Sequence, residues 1–191
     1  MNERDSKILF YDCEIARCIP DKYEENLEGY EYCSGWSDFA NMRVACVGVF
    51  WNNQYLSFFE DTLPAFQEIV NQAETIVGFN SVSFDDELME ANGIKIKTTY
   101  DLLCEVRVAS GQPPFYTPGL TRGGYNLDAI AAANLGKKKT GSGALAPILW
   151  QQGKKDEVVA YCLNDVELAV NLYFRRHNLI DPTNGSILKL R

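Results

Sequence analysis

No apolar run in this sequence of 191 residues is long enough to cross a bilayer, so no membrane-spanning helix is expected. Basic residues are in short supply: 18 Lys and Arg stand against 26 Asp and Glu, for a formal net charge of −8. That shortage argues against a broad cationic face of the kind that grips nucleic acid along its length. Any hold on nucleic acid must be weak and local. An acidic site that holds metal ions is not excluded, since its own acids add to the count. The six cysteines, at positions 13, 18, 33, 46, 104 and 162, form no Cys-x-x-Cys pair and no zinc spacing. Histidine is nearly absent. The one present, His177, follows a long helical segment, where a positive group suits the helix dipole. The first seven residues are too polar for a signal peptide. Together these absences predict a reduced, cytoplasmic protein. What is plentiful is hydrophobic residues, at 46%, enough for a real core at this length.

The periodicities predict one α/β domain over residues 1–191, with a mixed five-stranded sheet flanked by helices. Strands are expected at 7–13, 44–51, 54–60, 75–79 and around 96–100. Helices are expected at 62–73, 84–92, 126–134, 144–152 and 156–176. Trp51-Asn52-Asn53-Gln54 reads as a hairpin turn. The Pro- and Gly-rich stretch Ser110 to Gly124 reads as a loop and a candidate wall of a site. About thirty residues, 15–43, separate the first two strands, more than a hairpin needs.

Carboxylates fall at informative places. Lys7 to Glu14 reads as a buried strand ending in acid, and strand alternation puts Asp12 and Glu14 on one face. Their Cα atoms are then roughly 7 Å apart, close enough for two carboxylates to grip a cation between them. Without one, two such charges repel and raise a proton affinity. Thr75 to Asn80 reads as a strand running into a turn, with Asp85 in the first turn of the next helix. On the last long helix, Tyr161 and Asp165 are four apart and share a face. Each piece alone reads as ordinary structure. Asp85 and Asp86 suit a helix start with Ser83 as its cap, and Tyr161 suits a core. Their joint order, spacing and setting are much harder to obtain by chance.

That order resembles the DEDD superfamily of 3′-to-5′ exonucleases, which have a ribonuclease H-like fold. Tyr11-Asp12-Cys13-Glu14 is similar to the first exonuclease motif, Asn80 with Phe84-Asp85 to the second, and Tyr161 with Asp165 to the third. The stretch Tyr125 to Ala131 is similar to a Leu-Asp helix common in the family. The residue five before the last aspartate is Ala160 and not histidine, which matches the tyrosine subtype. That subtype also includes ribonuclease D and the proofreading domains of DNA polymerases. The 15–43 insertion and Ile15-Ala16-Arg17, where small polar residues are usual, depart from the pattern at the substrate entrance.

The resemblance implies that Asp12, Glu14, Asp85 and Asp165 hold two divalent ions and that Tyr161 contacts the attacking water. Oxygen-only ligands favour Mg²⁺ or Mn²⁺. The expected reaction is hydrolysis of the terminal phosphodiester of single-stranded nucleic acid, DNA favoured, to nucleoside 5′-monophosphates. The alternatives are an RNA-processing exoribonuclease of the ribonuclease D type and an inert ribonuclease H-like binding module. Expected partners are single-stranded DNA or RNA 3′ ends and, for a proofreading or processing subunit, a polymerase, helicase or other replication or repair protein. Asn80, Phe84, Phe115 and Tyr116 are the expected substrate contacts. Phe79 and Trp36 offer further rings for stacking on bases, although each of these rings could equally be core or a loop anchor. The Lys137-Lys138-Lys139 run beside Gly136 and Gly141 is the best candidate for contact with the nucleic-acid backbone. Asp101 is expected to support the acids from behind, and Asp128 to be a first-turn helix acid.

Overall fold

The computed structural model describes residues 7–23, 25–137, 141 and 143–191. Five strands form one mixed sheet: β1 (Ile8–Ile15), β2 (Val44–Trp51), β3 (Gln54–Phe58), β4 (Thr75–Gly78) and β5 (Tyr100–Asp101), in the order β3-β2-β1-β4-β5. β1 and β2, and β2 and β3, are antiparallel, whereas β4 runs parallel to both β1 and β5. The helices are α1 (Phe39–Met42), α2 (Leu63–Val70), α3 (Asp85–Ala91), α4 (Leu102–Ala109), α5 (Leu127–Leu135), α6 (Ala146–Gln151) and α7 (Lys155–Phe174). A short hairpin, β6 (Leu179–Ile180) with β7 (Ile187–Leu188), follows α7. Among the described residues no helix is long and apolar enough to cross a membrane. All six cysteines are free thiols.

The alternation of β1 divides the molecule into layers. Leu9, Tyr11, Cys13 and Ile15 join α1, α2 and α3 in one buried cluster. Phe10 points the other way and packs with α4, α5 and α7. Asp12 and Glu14 have the same parity as Phe10, so their side chains emerge on the α7 face. β2 follows suit: Val47, Val49 and Trp51 join the α2 side, while Cys46 packs with Val158 and Cys162 of α7. Opposite Asp12 in the ladder stands Gly48. A Cβ there would lie 2.9 Å from Cys162 Sγ and 3.2 Å from Leu163 Cδ2. The bare glycine therefore lets α7 settle against β1 and β2, which brings the helical acid within reach of the strand acids.

The expected elements hold, with six differences. The fifth strand is two residues, not five. The segment before it spends its polar groups on side-chain ties: the Thr98 N–H goes to Asp86, and Thr99 Oγ1 accepts from the Ile76 N–H. α4 was not expected. It starts where Asp101 caps the N–H groups of Leu103 and Cys104. α1 and the β6–β7 hairpin were not expected either, being too short to carry a periodic signal. Ser83 is not the cap of α3. Residues 81–83 form a 3₁₀ turn, and α3 starts from Phe84 with no side-chain cap. Ile15 belongs to β1, past a register shift that follows Glu14, so the insertion departs from the strand only after it.

Candidate metal and catalytic site

Asp12, Glu14, Asp85, Tyr161 and Asp165 all line one cavity of about 890 Å³. Each arrives from a different local rule. Asp12 and Glu14 come from the even face of β1. Tyr161 and Asp165 come from α7, one turn apart, with Cys162 between them against the sheet. Asp85 comes from the first turn of α3, and its Oδ1 accepts a 3.0 Å hydrogen bond from the Cys13 N–H. The parallel ladder of β1 with β4 ends at Phe10 and Val77. Beyond it β1 runs on with its backbone open to such a partner. Glu14, Asp85, Asp165 and Tyr161 are buried, and Asp12 is half-buried.

Asp85 and Asp86 diverge. Asp86 accepts from the Tyr11 hydroxyl, from the Thr98 N–H at 3.0 Å and from Thr98 Oγ1 at 2.9 Å. It ties α3 to the far side of β1 and to the 98–99 segment. Only Asp85 turns into the cavity. Burial pushes its carboxyl up to about 7. The Cys13 N–H opposes that rise, and the Asp86 and Asp101 charges add to it.

Cys162 was read from sequence as a small buried thiol. It is fully buried, and its Sγ lies 3.3 Å from the Asp12 main-chain oxygen and 3.6 Å from Asp12 Oδ2. Its hydrogen bond with Cys46, its burial and the Asp12 charge hold the thiol well above its usual pKa. It therefore stays protonated and acts as a donor that steadies Asp12. Ligand atoms of Asp12, Glu14 and Cys162 lie within 4.8 Å of one another. With the thiol protonated, the donor set is carboxylate oxygen, which suits a hard divalent cation. Carboxylates gathered as tightly as Asp12 and Glu14 need positive charge to stay ionised together.

Asp101 sits behind the site. Its Oδ1 accepts from the N–H groups of Asn80 (3.1 Å), Leu103 (2.9 Å) and Cys104 (3.1 Å), and its Oδ2 from Val82 (3.1 Å). One buried carboxylate thus fixes both the turn after β4 and the start of α4. Asn80, in that turn, adopts φ +63°, a left-handed conformation that asparagine tolerates better than most residues. Removing the carboxylate in Asp101→Ala strands several buried N–H groups and a helix cap. The expected loss is about 3 kcal/mol in urea unfolding, because the turn that carries Asn80 and the start of α4 lose their anchor. An unchanged midpoint would show that this carboxylate holds nothing.

The other expected contacts divide. Asn80, Phe84, Phe79 and Trp36 line the cavity. Phe115 and Tyr116 lie exposed on the 110–124 loop and are not among the lining residues. Lys137 pairs with Glu167 at 2.5 Å on the surface, while Lys138 and Lys139 lie outside the described residues. The neighbouring Gly141 packs on the Tyr161 ring so closely that a Cβ would lie 2.9 Å from Cδ2. Arg107 of α4 and Arg122 also line the cavity and carry positive charge into an acidic site. Nothing in their sequence setting marks them, because the loop that brings them in has no periodicity. The 15–43 insertion supplies a further wall, including Ile19, Tyr32 and Trp36. It is clasped to α6: Gln151 donates to the oxygens of Ala16 (3.0 Å) and Glu31 (3.1 Å), and Gln152 donates to the Tyr30 hydroxyl (2.6 Å).

No protein-family model and no curated protein sequence matches this chain. Among solved structures it is similar to the family B DNA polymerase from the hyperthermophilic archaeon Pyrobaculum calidifontis, with a TM-score of 0.56 and 16% identity. The match covers 88% of this chain and 24% of the polymerase chain, so this chain spans about a quarter of that protein's length. The fold is ribonuclease H-like. At this identity the likeness speaks to the fold alone.

Proposed function

We propose that this protein is a metal-dependent 3′-to-5′ exonuclease of the DEDD type, tyrosine subtype, acting on single-stranded ends with DNA favoured. The observation that carries the reading is the convergence of Asp12, Glu14, Asp85, Asp165 and Tyr161 on one cavity, from two strand positions and two helices. The fold agrees: the family resemblance includes the proofreading domains of DNA polymerases, and the similar solved structure is a DNA polymerase.

In this reading the four carboxylates hold two Mg²⁺ or Mn²⁺ ions. When bound, such ions activate a water and stabilise the oxygen that leaves. Tyr161 contacts that water through its hydroxyl. Cys162 keeps Asp12 in its rotamer. Asp101 holds the turn that carries Asn80 beside the scissile end. Arg107 and Arg122 meet the phosphates of the strand, giving the local grip that an overall acidic chain requires.

The test uses 5′-labelled single-stranded DNA and RNA incubated with the protein and Mg²⁺ or Mn²⁺. The expected result is a ladder shortening by one nucleotide at a time, faster on DNA and abolished by EDTA. A faster ladder on RNA would move the assignment to a ribonuclease D-type enzyme. No cleavage of either strand by folded, metal-loaded protein would overturn the nuclease reading in favour of an inert binding module.

A further inference from the structure

Trp36 stands out among the aromatic residues of the cavity. It is 70% exposed, whereas tryptophan is on average well buried. It comes from the 15–43 insertion and not from the sheet and helices that carry the acids. Its ring is not loose: it meets Phe84 edge-on at 6.3 Å and 67°, and Phe84 is backed by Phe39 at 5.6 Å and 69°. Phe84 is the residue immediately before Asp85. The aromatic group is thus coupled to the position of an acid at the reacting centre. The insertion is pinned at its other side to α6 through Gln151 and Gln152. Arg107 and Arg122 line the same cavity and bring positive charge. Aromatic, cationic and acidic side chains thus line one cavity.

We propose that Trp36 is the residue that selects the substrate's terminal nucleotide, by stacking its indole on the unpaired 3′-terminal base. The inference rests on the exonuclease reading and deepens it. A flat exposed ring set against Phe84 offers a π-face without reading sequence, because every base has such a face. It rewards a base that has left a duplex and offers nothing to a sugar without one. The insertion thereby turns a general phosphodiester site into one that prefers unpaired ends.

The experiment compares single-stranded DNA ending in a normal 3′ nucleotide with the same strand ending in an abasic sugar. Both kcat/KM with Mg²⁺ and equilibrium binding by fluorescence anisotropy are measured. For the wild-type protein the normal end is expected to be favoured about tenfold in both readouts. In Trp36→Ala that ratio is expected to collapse to about one, and in Trp36→Phe most of it returns. A ratio unchanged in Trp36→Ala, with cleavage intact, overturns the stacking role and leaves the nuclease standing. A Trp36-dependent ratio in binding with no cleavage of any strand supports the stacking role and overturns the nuclease. A wild-type ratio near one in both readouts overturns the selection outright.

Discussion

Replacing Asp165 with asparagine is expected to lower metal-dependent cleavage by about 10³-fold or more while leaving the fold intact. Asp165 is 3% exposed on α7, one turn after Tyr161 and three residues after the Cys162 thiol that touches Asp12. It lines the same cavity as the strand acids. An amide keeps the shape and removes the charge. If the carboxylate serves to hold a cation at the reacting centre, the loss falls on the transition state, where a single preorganised electrostatic contact is worth about 10²–10³ in rate and an ion more. The same reasoning fixes what stability should do. In chelator, removing one negative charge from a buried acidic group relieves repulsion, so the melting temperature of Asp165→Asn should match or exceed that of the wild type. Added Mg²⁺ should raise the melting temperature of the wild type by mass action and raise that of the variant little. The opposite pattern, a destabilised variant that still cleaves, would make Asp165 a structural acid and remove the basis of the site.

The acids were legible because each obeys a local periodicity. A period of two placed Asp12 and Glu14 together, and a spacing of four placed Tyr161 above Asp165, both before any tertiary contact was considered. The choice of Asp85 over Asp86 came from the neighbouring phenylalanine. The structure supplies a physical reason, since Asp86 is consumed by Tyr11 and Thr98. Relations through space were not legible. Asp101 was expected behind the acids, but not its four N–H partners, which come from two separate segments. Cys162 looks like a core thiol, and only Gly48 across the sheet lets it reach Asp12. Phe115 and Tyr116, singled out as flanked by prolines in a loop, sit apart from the cavity lining, because a loop's course depends on its anchors. Here those are Arg107 to the Pro114 carbonyl and Arg122 to the Ser110 carbonyl. The insertion could be bounded by sequence, but its fold over the cavity depends on a clasp to α6 more than a hundred residues away.

Under the proposed function, Asp85 is expected to make stability and metal affinity depend on pH in opposite directions. Burial lifts its carboxyl from an ordinary value of 3.8 to about 7 in the folded chain without metal. Between those values the folded state binds a proton that the unfolded state has already released. The corresponding stabilisation is complete below the unfolded value and is lost as pH rises through about 7. In chelator, the denaturation midpoint is therefore expected to fall between about pH 4 and about pH 7, and Asp85→Asn should flatten that part of the slope. A divalent ion needs the carboxylate and competes with the proton. Mg²⁺ should then stabilise the wild type weakly at about pH 5 and strongly at about pH 8, and cleavage should rise over the same interval. Equal slopes in chelator for the wild type and Asp85→Asn would show that the proton is held elsewhere. A Mg²⁺ effect independent of pH would show that the ion does not displace it. Both expected trends together would mean that the strain of a buried carboxylate is relieved by a proton in acid and by a cation near neutrality, which is the behaviour a hydrolytic metal site at Asp85 requires.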